Sequence, residues 1–328
     1  MELGITLDLG QDGHRLDERF ESYQPLLAAA ERAGFTTLST GEQHPTNGGY
    51  FHLPAPLTAL AAFAGRTTMQ LGTGVLLLVA WNPLRLAYDA AVLDQLSGGR
   101  LVLGVAAGNP PTWARFGMSG ERLADRLDQT IRALKAAWTG GTFAGDLVAF
   151  DEPLRPLPLR AGGPPLIMGG LAGRALKRAA ELGDGWFAAT NYQLERQIKP
   201  TIASYRARCE AAGRPAGAVM ANRLAVVVES EGELAKAAQP AVELLRFYAS
   251  FGTIRDADND PVAPADITVG SDLLRDIALI GTAPQVAEQL AQYRDAGLTH
   301  LQLRIQPAGI SPEAALRTIQ LIADGSAG

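Results

Sequence analysis

The 328-residue chain is 47% hydrophobic and 19% charged, which places it with globular proteins and away from disordered ones. Its formal net charge of −5 gives no electrostatic footprint for nucleic acid, and no run of like charge marks a tail or a lipid-facing patch. The lone Cys209 excludes an intrachain disulfide, the opening MELGITLDLGQ lacks a basic segment followed by an apolar one, and the apolar stretch GTGVLLLVAW (72–81) is far short of a membrane span, so a cytoplasmic protein is expected.

In chain order, short apolar runs alternate with segments of helical period, the pattern of parallel βα units. LGITLDL (3–9) reads as a strand and RFESYQPLLAAAERAG (19–34) as a helix stopped by Gly34. FTTLST (35–40) and PAPLTALAAFAGR (54–66) form the second pair, and MQLGTGVLLLV with NPLRLAYDAAVLDQLSGGR the third, with Pro83 in the first helical turn. LVLGVAA with GERLADRLDQTIRALKAAW is the fourth, Ser119 being the expected N-cap, and PPLIMGG with AGRALKRAAELG the fifth. GWFAAT, LAVVVE and THLQLRI are expected as strands six to eight. Eight units predict an α/β fold, a (β/α)8 TIM barrel in one domain over 1–328; a doubly wound open sheet is the rival. Two segments rich in Pro, Gly and Asp, 140–163 and 251–269, break the rhythm and are expected as insertions at the C-terminal mouth.

In a barrel, ligands sit at strand C-termini, where loops meet the free N–H groups of helix N-termini. Candidates there are Asp8, the cluster Glu42, Gln43 and His44, then Gly74, Leu76 and Trp81, then Ala107 and Asn109, then Gly169 and Gly170. In LIMGGLAGRALKRAAE the N–H groups from Gly170 through Ala172 to Gly173 are placed to cradle a phosphate, with Arg174 adding charge; a tight turn without a ligand is the alternative. Gly74 inside a strand marks either a bulge against which a flat ligand rests or a close strand contact. No GxGxxG follows the first strand, which disfavours a nicotinamide Rossmann enzyme. His14, His44, His52 and His300 are scattered without HExxH, and DADNDP (256–261) lacks the glycine and distal glutamate of a calcium loop, so no metal is expected.

The block TTMQLGTGVLLLVAWNPLRLAYDAAVLDQLSGGRLVLGVAAGN (67–109) resembles the signature core of the bacterial luciferase-like flavin monooxygenases. GEQH (41–44) is similar to that family's acid–His–His tract, PPLIMGGLAGRALKRAAELGDGWF to its phosphate-holding stretch, and IGTAPQVAEQLAQYRDAGLTHLQL to its last unit. The resemblance implies a TIM barrel binding reduced FMN, or in a sister branch the deazaflavin coenzyme F420, at the strand C-termini. It places a bulge at Gly74-Val75, often with a non-prolyl cis peptide, under the isoalloxazine, and the phosphate at Gly169, Gly170 and the N–H groups that follow. The flavin then supplies the oxygen or hydride chemistry, and the barrel supplies orientation and exclusion of water.

Two positions depart from the family pattern. Aligned on Glu42, the first histidine is Gln43, whose amide donates a hydrogen bond but is no base, and His44 matches the second. The arginine that luciferases carry after the fourth strand is Ala107, for which Arg174 is a substitute. The implied activity is a two-component monooxygenase served by a separate flavin reductase and acting on a small organic substrate. The alternatives are a deazaflavin-dependent hydride-transfer oxidoreductase and a non-catalytic flavin-binding relative. Glu42, Gln43 and His44 are expected to line the site under a loop formed by PTNGGYFHL (45–53), Trp81, Trp113, Phe116 and Trp186 to form an apolar wall, and the chain to pair as a homodimer.

Overall fold

Ile5, Leu38, Leu71, Leu103 and Leu301 are wholly buried, because each of their strands is covered by helices on one side and by packed barrel interior on the other. The computed structural model describes residues 1–10, 15–44, 55–256, 260–307 and 309–326. Its strands are β1 (Glu2–Leu7), β2 (Thr37–Thr40), β3 (Gln70–Leu77), β4 (Leu101–Ala106), β5 (Phe143–Ala144), β6 (Ala149–Phe150), β7 (Leu166–Gly169), β8 (Gly185–Ala188), β9 (Ala218–Val228), β10 (Leu279–Thr282) and β11 (His300–Arg304). Eight of them pair in parallel in the order β1-β2-β3-β4-β7-β8-β9-β11, and β11 returns to β1, which closes the barrel and removes the open-sheet rival.

Around it lie α1 (Leu16–Ser22), α2 (Gln24–Arg32), α3 (Pro56–Phe63), α4 (Pro83–Leu96), α5 (Pro110–Arg115), α6 (Leu123–Trp138), α7 (Gly173–Glu181), α8 (Lys199–Ala211), α9 (Glu231–Ser250), α10 (Asp272–Ile277), α11 (Ala283–Asp295) and α12 (Pro312–Ser326). The main core fills the shell between strands and helices, whereas Val102, Ile167, Phe187 and Met220 form a separate small cluster. Among the described residues no helix is long and apolar enough to cross a membrane.

Several elements differ from the sequence reading for local reasons. The helix expected over 19–34 is two, parted at the buried Tyr23, because Pro25 in the first turn of α2 has no N–H to continue the ladder. Ser119 does not cap α6: among the described residues its hydroxyl meets the Glu121 N–H at 3.3 Å, and α6 starts four residues later, after Arg122 at φ 51°. The seventh strand begins earlier than LAVVVE. Residues 218–224 of β9 make the barrel contacts, and 225–228 run beyond it to pair with β10, a strand additional to the eight.

The expectation that 140–163 lies over the mouth is corrected. The segment joins the end of α6 to the start of β7, and such a connection begins and ends at the barrel's N-terminal face. Its β5–β6 hairpin runs along α6, where Asp146 meets Arg122 and Gln129, and Leu157 and Arg160 then pack on Gln95, Asp94 and Gly99 below β4. The second segment does sit beside the mouth, where Thr253 and Arg255 accept bonds from Asn191 and Gln193 in the loop after β8.

Candidate active site

The site is organised by a bulge in β3. Residues 71–73 pair with 101–103, the register then shifts, and Leu76 and Leu77 pair with Val105 and Ala106. The Gly74-Val75 peptide between them is cis. Glycine is required at 104, where a Cβ would fall 2.1 Å from the Thr73 carbonyl oxygen; at Gly74 a Cβ would only touch the Phe187 ring at 3.4 Å and the Asn222 amide nitrogen at 3.9 Å, ordinary contact distances. The Thr73 hydroxyl donates to the Gly104 carbonyl at 2.7 Å, fastening the two strands at the bulge.

Glu42 ties the loop after β2 to that bulge. Its N–H donates to the Val75 carbonyl at 2.9 Å, and its Oε2 accepts from the Leu77 N–H at 2.8 Å and the Trp81 indole at 2.9 Å. Its Oε1 meets His44 Nε2 at 2.7 Å. The carboxylate is therefore fully engaged, and with Nε2–H donated to it the free imidazole nitrogen is Nδ1. The His44 ring stands edge-on to Phe116, 4.6 Å between centroids, and is 22% exposed. Gln43 is half-buried beside it. The loop expected over these residues, 45–53, lies outside the described residues, as do His14 and His52.

Beside the bulge opens a cavity of about 420 Å³, within the range of small-molecule sites. Gly74, Val75, Gly169, Gly170 and Ala172 line it, as anticipated, and so does Ala107. Glu42, Gln43 and His44 are not in its wall; Glu42 is bonded to the bulge and His44 to Glu42. Gly173 starts α7, whose N-cap is Ala172, so no side chain caps the first-turn N–H groups, and Gly170 takes φ 124°, open to glycine alone. The N–H groups of this turn are thus left without a side-chain cap beside the cavity, an arrangement suited to an anion.

Other expected members stand elsewhere. Asn109 caps α5, its amide oxygen accepting from Thr112 N–H at 3.0 Å and Oγ1 at 2.7 Å. Arg174 points away to Asp125 at 2.6 Å and is exposed; one turn on, Arg178 lines the cavity with its guanidinium held by Asp128 and the Ala124 carbonyl. Leu76 is wholly buried in the shell core. Trp186 is fully buried too, donating to the Gly170 carbonyl at 2.9 Å, so it braces the turn before α7 and forms no wall. Asp8 is claimed by Arg304, whose Nε lies 2.9 Å and 3.0 Å from its two oxygens and whose Nη1 donates to Tyr248.

The wall opposite comes from residues the sequence reading did not single out: Phe187, Thr190, Tyr192 and Asn222. Thr190 and Tyr192 belong to the loop after β8, which is clamped by the wholly buried Arg223. Its Nη1 donates to the carbonyls of Ala189 (3.0 Å), Thr190 (3.1 Å) and Asn222 (2.8 Å), its Nη2 to Tyr192 (2.5 Å), and its Nε to the Tyr293 hydroxyl (2.6 Å). Burial pushes the Tyr192 phenol above its ordinary range, so it stays a neutral hydroxyl. Arg178 alone had a visible signal, lying four residues after Arg174 on the same helix face. Among the described residues no group of three or more His, Cys, Asp or Glu could hold a metal ion.

The family described as luciferase-like monooxygenase matches residues 1–300. The chain belongs to this luciferase-like family. Such a chain is an oxidoreductase, and its relatives divide between two cofactors. The oxygenase component of flavin-dependent trigonelline monooxygenase from Acinetobacter baylyi is 26% identical over 315 residues, 90% of this chain and 86% of that one. An F420-dependent glucose-6-phosphate dehydrogenase from Nocardia farcinica is 28% identical over 330 residues, 92% of this chain and 91% of that one. Among solved structures, monooxygenase RslO1 from Streptomyces bottropensis superposes with a TM-score of 0.81 at 26% identity, covering 99% of this luciferase-like chain and 98% of its own.

Proposed function

We propose that this luciferase-like protein is the oxygenase component of a two-component monooxygenase, which receives reduced FMN from a separate reductase and oxygenates a small organic substrate. One observation carries the reading: a single cavity joins a flat apolar slot, formed by the Gly74-Val75 bulge, Phe187 and Val105, to the uncapped N-terminus of α7. A tricyclic ring with a phosphate tail matches that pairing of surfaces. The ring would rest on Gly74 and Val75, and the phosphate would accept from the N–H groups at Gly169 to Gly173, with Arg178 supplying charge.

When bound, reduced FMN supplies the electrons that activate dioxygen, one oxygen atom passing to the substrate and the other leaving as water. The chain's own share is placement. The bulge and Phe187 fix the ring plane, Leu78, Met168 and Val105 keep water out, and Glu42 holds His44 so that Nδ1 can take or give a proton at the mouth. Gln43 offers an amide donor to the substrate instead of a base.

Supplying NADH, FMN and a flavin reductase under oxygen-18 gas tests this: one labelled oxygen per product molecule is expected. Turnover without oxygen, using reduced deazaflavin coenzyme, would instead support the hydride-transfer reading that the Nocardia farcinica relative favours. Arg178→Met should weaken FMN binding about tenfold and leave riboflavin binding unchanged, since only FMN carries the phosphate; fluorescence titration with both ligands reads the difference.

A homodimer is part of the proposal. Tyr88, Val92 and Leu96, spaced by four along α4, are 37%, 43% and 61% exposed, an apolar stripe that a second copy would cover. Leu96→Glu is expected to turn the dimer into monomers in analytical ultracentrifugation.

A further inference from the structure

Asn222 is 4% exposed and lines the cavity, yet among the described residues its side-chain Oδ1 has no hydrogen-bond partner. Its Oδ1 is buried without a partner, a state that costs free energy unless something satisfies it. The neighbours do not answer it. Ser39 Oγ is engaged by Thr6 at 2.7 Å and by Gln302 Oε1 at 3.3 Å, and Gln302, opposite Asn222 on β11, leaves its own Nε2 unpartnered. The backbone here is rigid: residues 218–221 of β9 pair with β8, 220–224 pair with β11, and Arg223 anchors the next position. Asn222 is also beside the bulge, its Nδ2 3.9 Å from where a Gly74 Cβ would stand.

We propose that Asn222 is a positioning residue for the cofactor ring, its amide pairing with the pyrimidine edge, where a C=O lies next to an N–H. An asparagine side chain offers one donor and one acceptor in the same plane, the complement of that edge. Flavin and deazaflavin share the edge, so the residue sets ring orientation and does not choose between them. The inference rests on the flavin reading of the cavity, but it is tested separately from it.

Asn222→Leu keeps the branched shape and the number of side-chain heavy atoms and removes both polar atoms. Two quantities are measured on wild type and variant: the apoprotein melting temperature, and anaerobic binding of FMN and of riboflavin, with the visible spectrum of the bound ring. The expected result is an apoprotein at least as stable as wild type, because an unsatisfied amide has gone, with FMN and riboflavin affinity both reduced about tenfold to a hundredfold and a shifted bound spectrum. Unchanged affinity and spectrum would overturn the proposal. So would a lower apoprotein melting temperature with unshifted spectrum, which marks a purely structural amide. Wild type that binds neither FMN nor the deazaflavin coenzyme would overturn the flavin reading itself, and is read from the wild-type titration alone.

Discussion

Arg223→Met should destabilise the protein by about 3–5 kcal/mol, because it removes the wholly buried guanidinium that donates to the carbonyls of Ala189, Thr190, Tyr192 and Asn222. Methionine retains the apolar stem, so the loss is that of the guanidinium fork and not of packing volume. Ala189, Thr190 and Tyr192 all lose donors, and Thr190 and Tyr192 line the cavity, so cofactor affinity should fall together with stability. Asp276 adds a pH signature. Burial pushes its carboxyl above its ordinary value of 3.8, while Arg223 and the N–H groups of Leu194 and Glu195 hold it down. Without the cation the folded-state pKa rises further. A raised acid binds its proton more tightly when folded, so stability is lost as pH climbs from about 3.8 through the raised value. The deficit of Arg223→Met should therefore be largest near neutral pH and shrink towards pH 4, as read by urea unfolding at several pH values.

Gly104→Ala should cost about 2–4 kcal/mol and abolish ring binding, since its Cβ would stand 2.1 Å from the Thr73 carbonyl oxygen and 3.3 Å from Phe187. The obstructing atom is backbone, so β3 must leave its bulged path for the methyl group to fit. Gly72→Ala in the same strand is the control: its Cβ would meet Ser39 and Thr37 side chains at an ordinary 3.4 Å, and the cost should stay below about 1 kcal/mol. Thermal unfolding and FMN titration of both variants separate the two cases. Equal tolerance of both substitutions would contradict the packing described for the bulge.

How far the sequence led is clearest at particular residues. Pro83 with Asn82 marked the start of α4, and Gly169-Gly170 marked the tight turn before α7, because each is a local rule of backbone chemistry visible within a few residues. Pro25 carried the break between α1 and α2 as well, but the helical period continues across it and hid the division. Asn222 and Arg223 fall just outside the expected strand LAVVVE. The guanidinium is buried only because carbonyls some thirty residues back and Tyr293, seventy residues on, converge on it, and no local pattern records that convergence. Segment 140–163 was misplaced for a related reason: composition shows that a segment is irregular, while the face it lies on depends on which elements it joins.

The most direct test of the account is an anaerobic titration of the purified protein with reduced FMN and, separately, with the reduced deazaflavin coenzyme, followed by admission of air. Saturable one-to-one binding of reduced FMN is expected, weakened by Arg178→Met, with reoxidation in air that changes when substrate is present. Binding of the deazaflavin coenzyme alone, indifferent to oxygen, would contradict it.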